Sequence, residues 1–155
     1  MRGFSFLLVL FSDLAGPRNA ALNVFFYGLF MDVQALADGG VKVTDPVVAF
    51  ADGLELIIGE RASLVCREGS RTYGLLVKMT PEDVVALYSD SSVSDYIPET
   101  IKVTVPDGRL RDAECYLLPP GKLAGTNPDY ARKLHALCRE LKFPDSYLEH
   151  VRKAG

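Results

Sequence analysis

The chain has 155 residues, 48 % of them apolar, which suits a single domain with a buried core. Lysine and arginine number 17 against 20 aspartates and glutamates, a formal net charge of −3 with no block of like charge. This excludes the basic stripe of a nucleic-acid binder and a charged interaction tail, and 13 glycines with 9 prolines exclude a collagenous or low-complexity chain.

At the N-terminus, Arg2 precedes an apolar run from Phe4 to Phe11 that only Ser5 interrupts. The outline is that of a secretory signal peptide, but the run is short for one and Asp13 follows closely. Arg18-Asn19-Ala20 is not a small-x-small cleavage site, and the run is too short to span a bilayer. Residues 1–21 read as an N-terminal extension, a short extra strand or a weak signal-like segment, and residues 22–155 as the domain. Asn23–Tyr27 is a compact run rich in Val and Phe and predicts a buried strand, which Gly28 breaks. Asp32–Ala37 predicts a short helix ended by Gly39-Gly40. Val47–Phe50 and Leu54–Ile58 predict two strands, and Ala62–Cys66 and Thr72–Met79 two more, joined by a hairpin turn at Arg67-Glu68-Gly69-Ser70.

Thr80 followed by Pro81 is a helix start: the threonine can cap, and proline suits the first helical position because its missing N–H would be unpaired there. That helix is expected to run to Tyr88 with Val84, Val85, Leu87 and Tyr88 on its apolar side. Thr100–Val105 predicts a strand with Ile101, Val103 and Val105 on one face, Pro106-Asp107-Gly108 a turn, and Ala113–Leu118 the partner strand. Asn127-Pro128 repeats the cap-then-proline pattern and opens the longest helix, where Tyr130, Leu134, Leu137 and Leu141 share a face. A last helix over Pro144–Arg152 turns Tyr147, Leu148 and Val151 inward. Strands dominate early and helices come late, which predicts an α+β domain: a mixed sheet or small barrel flanked by helices.

Cys66, Cys115 and Cys138 are odd in number, widely spaced and without a CxxC pair, so they read as reduced thiols of a cytoplasmic protein. His135 and His150 lack partners at metal-ligand spacing and read as surface or packing residues, so no metal is expected. Neither a Gly-x-Gly-x-x-Gly, a Walker loop nor a Gly-x-Ser-x-Gly elbow is present. What stands out is Phe25-Phe26-Tyr27-Gly28-Leu29-Phe30-Met31-Asp32, a buried strand that ends in Tyr-Gly and enters a helical stretch. Glycine there either permits a turn or lets the backbone approach a ligand, with the following N–H groups aimed at a carboxylate or oxyanion.

This segment resembles the Tyr-Gly-x-Leu signature of the gamma-glutamyl cyclotransferase and AIG2-like family, although Leu29-Phe30-Met31 departs from its small or polar residue followed by Leu. The resemblance continues in order and spacing from Asn23 to Lys153. It takes in Tyr73-Gly74-Leu75-Leu76, Leu87-Tyr88-Ser89-Asp90-Ser91-Ser92-Val93 (where the family has Leu-x-x-x-Glu-Gly-Val), and Tyr96 leading into a strand. Ala113-Glu114-Cys115-Tyr116-Leu117-Leu118 is similar to the following strand. Asn127-Pro128-Asp129-Tyr130 and Phe143-Pro144-Asp145-Ser146-Tyr147 are similar to the family's last two helix starts.

The resemblance implies a small mixed β-barrel with flanking helices and a cavity at one end. It also implies a transferase chemistry without cofactor or metal. A γ-glutamyl compound cyclises to 5-oxoproline and releases an amine as its own α-amino group attacks the γ-carbonyl. Such a reaction needs attack geometry, a base to free the amine, and donors for the oxyanion. By the same resemblance, Tyr27, Gly28, Leu29 and Phe30 would grip the ligand through their backbone, and Tyr116 and Tyr130 would line the pocket. The family's catalytic glutamate falls at Ser91, whose hydroxyl is too weak a base near neutral pH. Asp90 and Glu99, and less directly Asp95, are the carboxylates that would have to replace it. Two readings follow: a cyclotransferase with a relocated base, or a non-catalytic binding module for a γ-glutamyl or amino-acid-like metabolite. Neither involves nucleic acid or a membrane.

Overall fold

A computed structural model describes residues 21–155. The signal-like reading of the N-terminal segment concerns residues 1–20, outside that range. Strand β1 (Leu22–Phe26) leads through a 3-10 turn (Leu29–Met31) into helix α1 (Val33–Asp38). Strands β2 (Thr44–Ile58) and β3 (Ala62–Met79) follow, then helix α2 (Pro81–Tyr88), strands β4 (Ile97–Thr104) and β5 (Leu110–Leu117), a second 3-10 turn (Pro120–Lys122), and helices α3 (Pro128–Glu140) and α4 (Asp145–Ala154).

The strands close into a barrel in the order β1-β3-β2-β4-β5. Every pair is antiparallel except β1 with β5, which close the barrel in parallel at Val24 and Glu114. The expected small mixed barrel with flanking helices is therefore the observed architecture. Closure also removes the open sheet edges that a five-stranded sheet would otherwise expose.

Two of the expected breaks between strands are absent. Val47–Phe50 and Leu54–Ile58 belong to one strand, β2, and Arg67–Ser70 lies within β3, where the chain does not reverse. Asp52 pairs with Arg71 but Leu54 with Cys66, so four residues of β3 face the single Gly53 of β2. Gly53 and Gly69 take φ of +83° and +86°, the left-handed conformation such an irregularity needs. A bulge and a turn use the same residue types, which is why the segment reads as a hairpin in isolation. The true reversal is at Gly59–Arg61, between β2 and β3. Gly59 is bare because a Cβ there would lie 2.5 Å from the Ala124 carbonyl oxygen and 2.6 Å from that of Leu123. The loop after β5 thus packs directly on this turn, and the Glu60 N–H donates to the Ala124 carbonyl at 3.1 Å.

β4 begins at Ile97, three residues ahead of the expected strand, and takes in Pro98, which pairs with Tyr116. β4 meets β2 at Phe50–Thr104 only, so its start is an edge where a missing N–H breaks no ladder. Likewise β5 begins at Leu110 rather than Ala113.

The helix starts follow the side chains that cap them. Thr80 accepts from the Asp83 N–H at 3.1 Å, Asn127 from Tyr130 at 3.0 Å, and Asp32 from Ala35 at 3.1 Å. In α2, Val84 and Leu87 are buried, but Val85 is 69 % exposed, contrary to its expected place on the apolar side. In α3, Leu134 is buried together with Ala131 and Cys138, while Tyr130, Leu137 and Leu141 pack half-buried beside them. Phe143 and Tyr147 close this layer against Tyr73 of β3, with ring centroids 5.6 and 5.2 Å away. His150 is half-buried and meets the Leu56 carbonyl through Nε2 at 3.0 Å, a packing role. Among the described residues, no helix is long and apolar enough to cross a membrane.

Candidate functional site

A cavity of about 280 Å³ opens at one end of the barrel, where β1 runs out into the first 3-10 turn. Tyr27, Gly28, Leu29 and Phe30 line it. Val24, Phe25 and Phe26 are buried, so β1 is anchored in the core and its last residues are held at a fixed place. The Tyr27 hydroxyl donates to the Tyr116 carbonyl at 2.6 Å, which ties β1 to β5 at the cavity. Beyond Gly28, the Leu29 N–H donates to the Tyr130 hydroxyl at 3.3 Å, leaving the Tyr130 proton free to donate inward. Among the described residues, no acceptor takes the N–H of Gly28 or Phe30.

Tyr116 and Tyr130 also line the cavity, so the structure brings together all six residues expected to bind ligand. It does not bring the three expected catalytic residues into the lining. Ser91 is exposed on the loop after α2. Asp90 is exposed too, and its Oδ1 is taken by the Ser92 N–H at 2.9 Å and the Ser92 hydroxyl at 2.7 Å. These bonds hold the Asp90 carboxyl below its ordinary range. Glu99 is exposed on β4, paired in register with Cys115.

The rest of the lining includes Arg61, Tyr88, Ser92, Val93 and Tyr96, none of them expected from the sequence to be site residues. Arg61 ends the β2–β3 turn, and its guanidinium grips Asp95 with two bonds of 2.7 and 2.8 Å while donating to the Ser92 carbonyl at 3.1 Å. Lys122 adds a second cation, 3.3 Å from Asp95. Together they keep the Asp95 carboxyl well below the usual carboxylate range, the Arg61 hydrogen bonds contributing most. Tyr96 donates to the Ala62 carbonyl at 2.7 Å, and burial pushes its phenol up to about 12. Burial likewise raises Tyr27, Tyr88, Tyr116 and Tyr130, so at neutral pH every phenol of the site is a protonated donor. The sequence signal for Arg61 is its place in Gly59-Glu60-Arg61, between the strand candidates Leu54–Ile58 and Ala62–Cys66.

With the Tyr27 and Tyr96 protons given to backbone carbonyls, the site keeps the hydroxyls of Tyr88, Tyr116 and Tyr130 as donors and is poor in bases. Among the described residues, no aspartate or glutamate lines it. Cys115 lies buried close to the tyrosines, and its burial raises the thiol far from the thiolate range, so it is not a nucleophile at neutral pH.

No protein-family model matches the chain, and no curated protein matches it in sequence. Solved structures do match in shape. An uncharacterised protein from Homo sapiens superposes with a TM-score of 0.72 at 18 % identity, covering 88 % of this chain and 89 % of its own. A gamma-glutamyl cyclotransferase gives 0.68 at 16 % identity, covering 87 % and 88 %. A yeast gamma-glutamyl cyclotransferase specific to glutathione gives 0.56 at 12 % identity, covering 87 % and 97 %. Superposition over near-complete lengths of both chains supports one conclusion: the chain has the gamma-glutamyl cyclotransferase-like fold.

Proposed function

We propose that this protein is a binding module on the cyclotransferase fold, holding a γ-glutamyl or amino-acid-like metabolite at the barrel end without cyclising it. One observation carries the reading: the cavity offers donors for a carboxylate or carbonyl oxygen and, among the described residues, no lining carboxylate. Cyclisation requires the α-ammonium of a γ-glutamyl group to lose a proton before it attacks, because only the neutral amine is nucleophilic. Protonated phenols cannot take that proton, and Asp95 is committed to Arg61 and Lys122. Absence of a positioned base costs on the order of 10² to 10⁴ in rate. The N–H groups of Gly28 and Phe30, without an acceptor among the described residues, and the Tyr130 hydroxyl, by contrast, suit a ligand's carboxylate. The γ-glutamyl class is supported by the resemblance of the Tyr27–Phe30 segment and by the two cyclotransferases that share the fold. A cytoplasmic setting is supported by three free cysteines, Cys66, Cys115 and Cys138.

One observation favours the catalytic reading. Ser92 lines the cavity, and its hydroxyl donates to Asp90 at 2.7 Å, so a carboxylate stands one hydroxyl behind the lining. The same experiment separates the two. 5-Oxoproline release is measured from a panel of γ-glutamyl amino acids and amines, beside the melting temperature with each compound. The binding module raises its melting temperature with at least some compounds and releases nothing above background. Release that vanishes in a folded Asp90→Ala variant, but persists in Glu99→Ala, would establish the enzyme instead.

A further inference from the structure

The walls of the cavity differ in chemistry. Along one side the rings run in contact: Phe26 to Phe30 at 5.8 Å between centroids, Phe30 to Tyr88 at 5.7 Å, and Tyr88 stacked on Tyr116 at 3.7 Å. The first two contacts are edge-on and the last is nearly parallel, at 12°. These rings belong to β1, the turn after it, α2 and β5, so four separate elements bring them to one surface. Val93 adds an aliphatic side chain to the lining. Apart from the Tyr88 and Tyr116 hydroxyls, the polar groups belong to other residues: the N–H groups of Gly28 and Phe30 with the Tyr130 hydroxyl, and Arg61, already paired to Asp95.

We infer that the ligand is a γ-glutamyl conjugate whose amine portion is aromatic or bulky and apolar, that portion lying along the Phe30–Tyr88–Tyr116 wall. The inference rests on the binding reading above and adds the class of the second half of the ligand. A γ-glutamyl head satisfies the donors beside Gly28. What then extends along the ring wall leaves water, and this favours a side chain with apolar area to bury and a flat face for offset or edge contact. A very small amine portion has little area to bury on that wall, and a charged one must be desolvated to reach it. A glycine-type conjugate has no side chain to lay on that wall, and a lysine-type ammonium meets ring faces and phenol hydroxyls there but, among the described residues, no lining carboxylate.

The test compares equilibrium affinities of the wild-type chain for γ-glutamylphenylalanine, γ-glutamyltyrosine, γ-glutamylleucine, γ-glutamylglycine, γ-glutamyllysine and glutathione by calorimetry. Burial of one large apolar side chain predicts at least about a tenfold preference for the first three over the last three. Tyr116→Ala, with Val93→Ser as a second variant on a loop, should shrink that preference several-fold. Equal affinity across the panel, or tighter binding of the glycine, lysine or glutathione compounds, overturns this inference and leaves the binding reading standing. Failure of every compound to bind a folded wild-type chain overturns both.

Discussion

At Gly28 the backbone φ is −114°, a conformation open to any residue, so the demand for glycine comes from its neighbour. A Cβ built there would overlap the Tyr130 hydroxyl, while the ring carbon behind it lies 3.8 Å away. The close approach that requires glycine here is one within the protein, to a phenol that itself belongs to the cavity. Gly28→Ala should therefore destabilise the protein by about 1–3 kcal/mol, the cost of overpacking, and displace Tyr130 from the Leu29 N–H. Combined with Tyr130→Phe, which removes the overlapping oxygen, the same change should cost less than the sum of the two single variants. A double-mutant cycle by urea unfolding measures this coupling, and strict additivity would refute the packing account.

Asn127 shows how one side chain sets an element and, through it, the site. Its Oδ1 caps α3 by accepting from the Tyr130 N–H, and its Nδ2 donates to the Glu60 carbonyl at 3.0 Å. The first bond starts the helix that carries Tyr130; the second pins that start to the β2–β3 turn that carries Arg61. Asn127→Ala loses both and should cost about 1–2 kcal/mol, whereas Asn127→Asp keeps the cap and should recover part of the loss. Chemical denaturation of the two variants gives the ranking. Ligand-induced stabilisation should weaken in Asn127→Ala, because Tyr130 and Arg61 lose their common anchor. An alanine variant as stable as wild type would remove the element-level argument.

For the whole molecule, Asp95 joins three segments distant in sequence: its own loop between α2 and β4, the β2–β3 turn through Arg61, and the turn after β5 through Lys122. Its carboxyl is held below the ordinary value of 3.8 in the folded state. A depressed folded pKa means the unfolded chain binds the proton more readily, so the contribution to stability is complete above the unfolded value and is lost as pH falls. The melting temperature should be level from neutral pH to about pH 5 and fall below about pH 4. Asp95→Asn should start lower at neutral pH and lose less on acidification. Parallel acid slopes for the two proteins would show that this junction carries no linkage. Both partners are about a third exposed, so 0.5 M salt should weaken the difference.

Local chemistry was legible wherever a side chain acts on its own neighbourhood. Thr80-Pro81 and Asn127-Pro128 announce helix starts because capping is settled within three residues. The run Asn23–Tyr27 announces a buried strand because its apolar residues leave no solvent face, and Tyr27-Gly28, Tyr116 and Tyr130 were legible as a group through their family-like order. Residues 67–70 were not legible, since a bulge and a hairpin ask for the same glycine and polar residues. Only the partner strand, with Asp52 opposite Arg71 and Leu54 opposite Cys66, distinguishes them. The base-poor character of the site was equally hidden: Asp90, Glu99 and Asp95 all stand near the expected position in sequence. Exposure removes two of them from the cavity lining and an ion pair occupies the third, because where a carboxylate points and what it pairs with depend on chains folded from elsewhere.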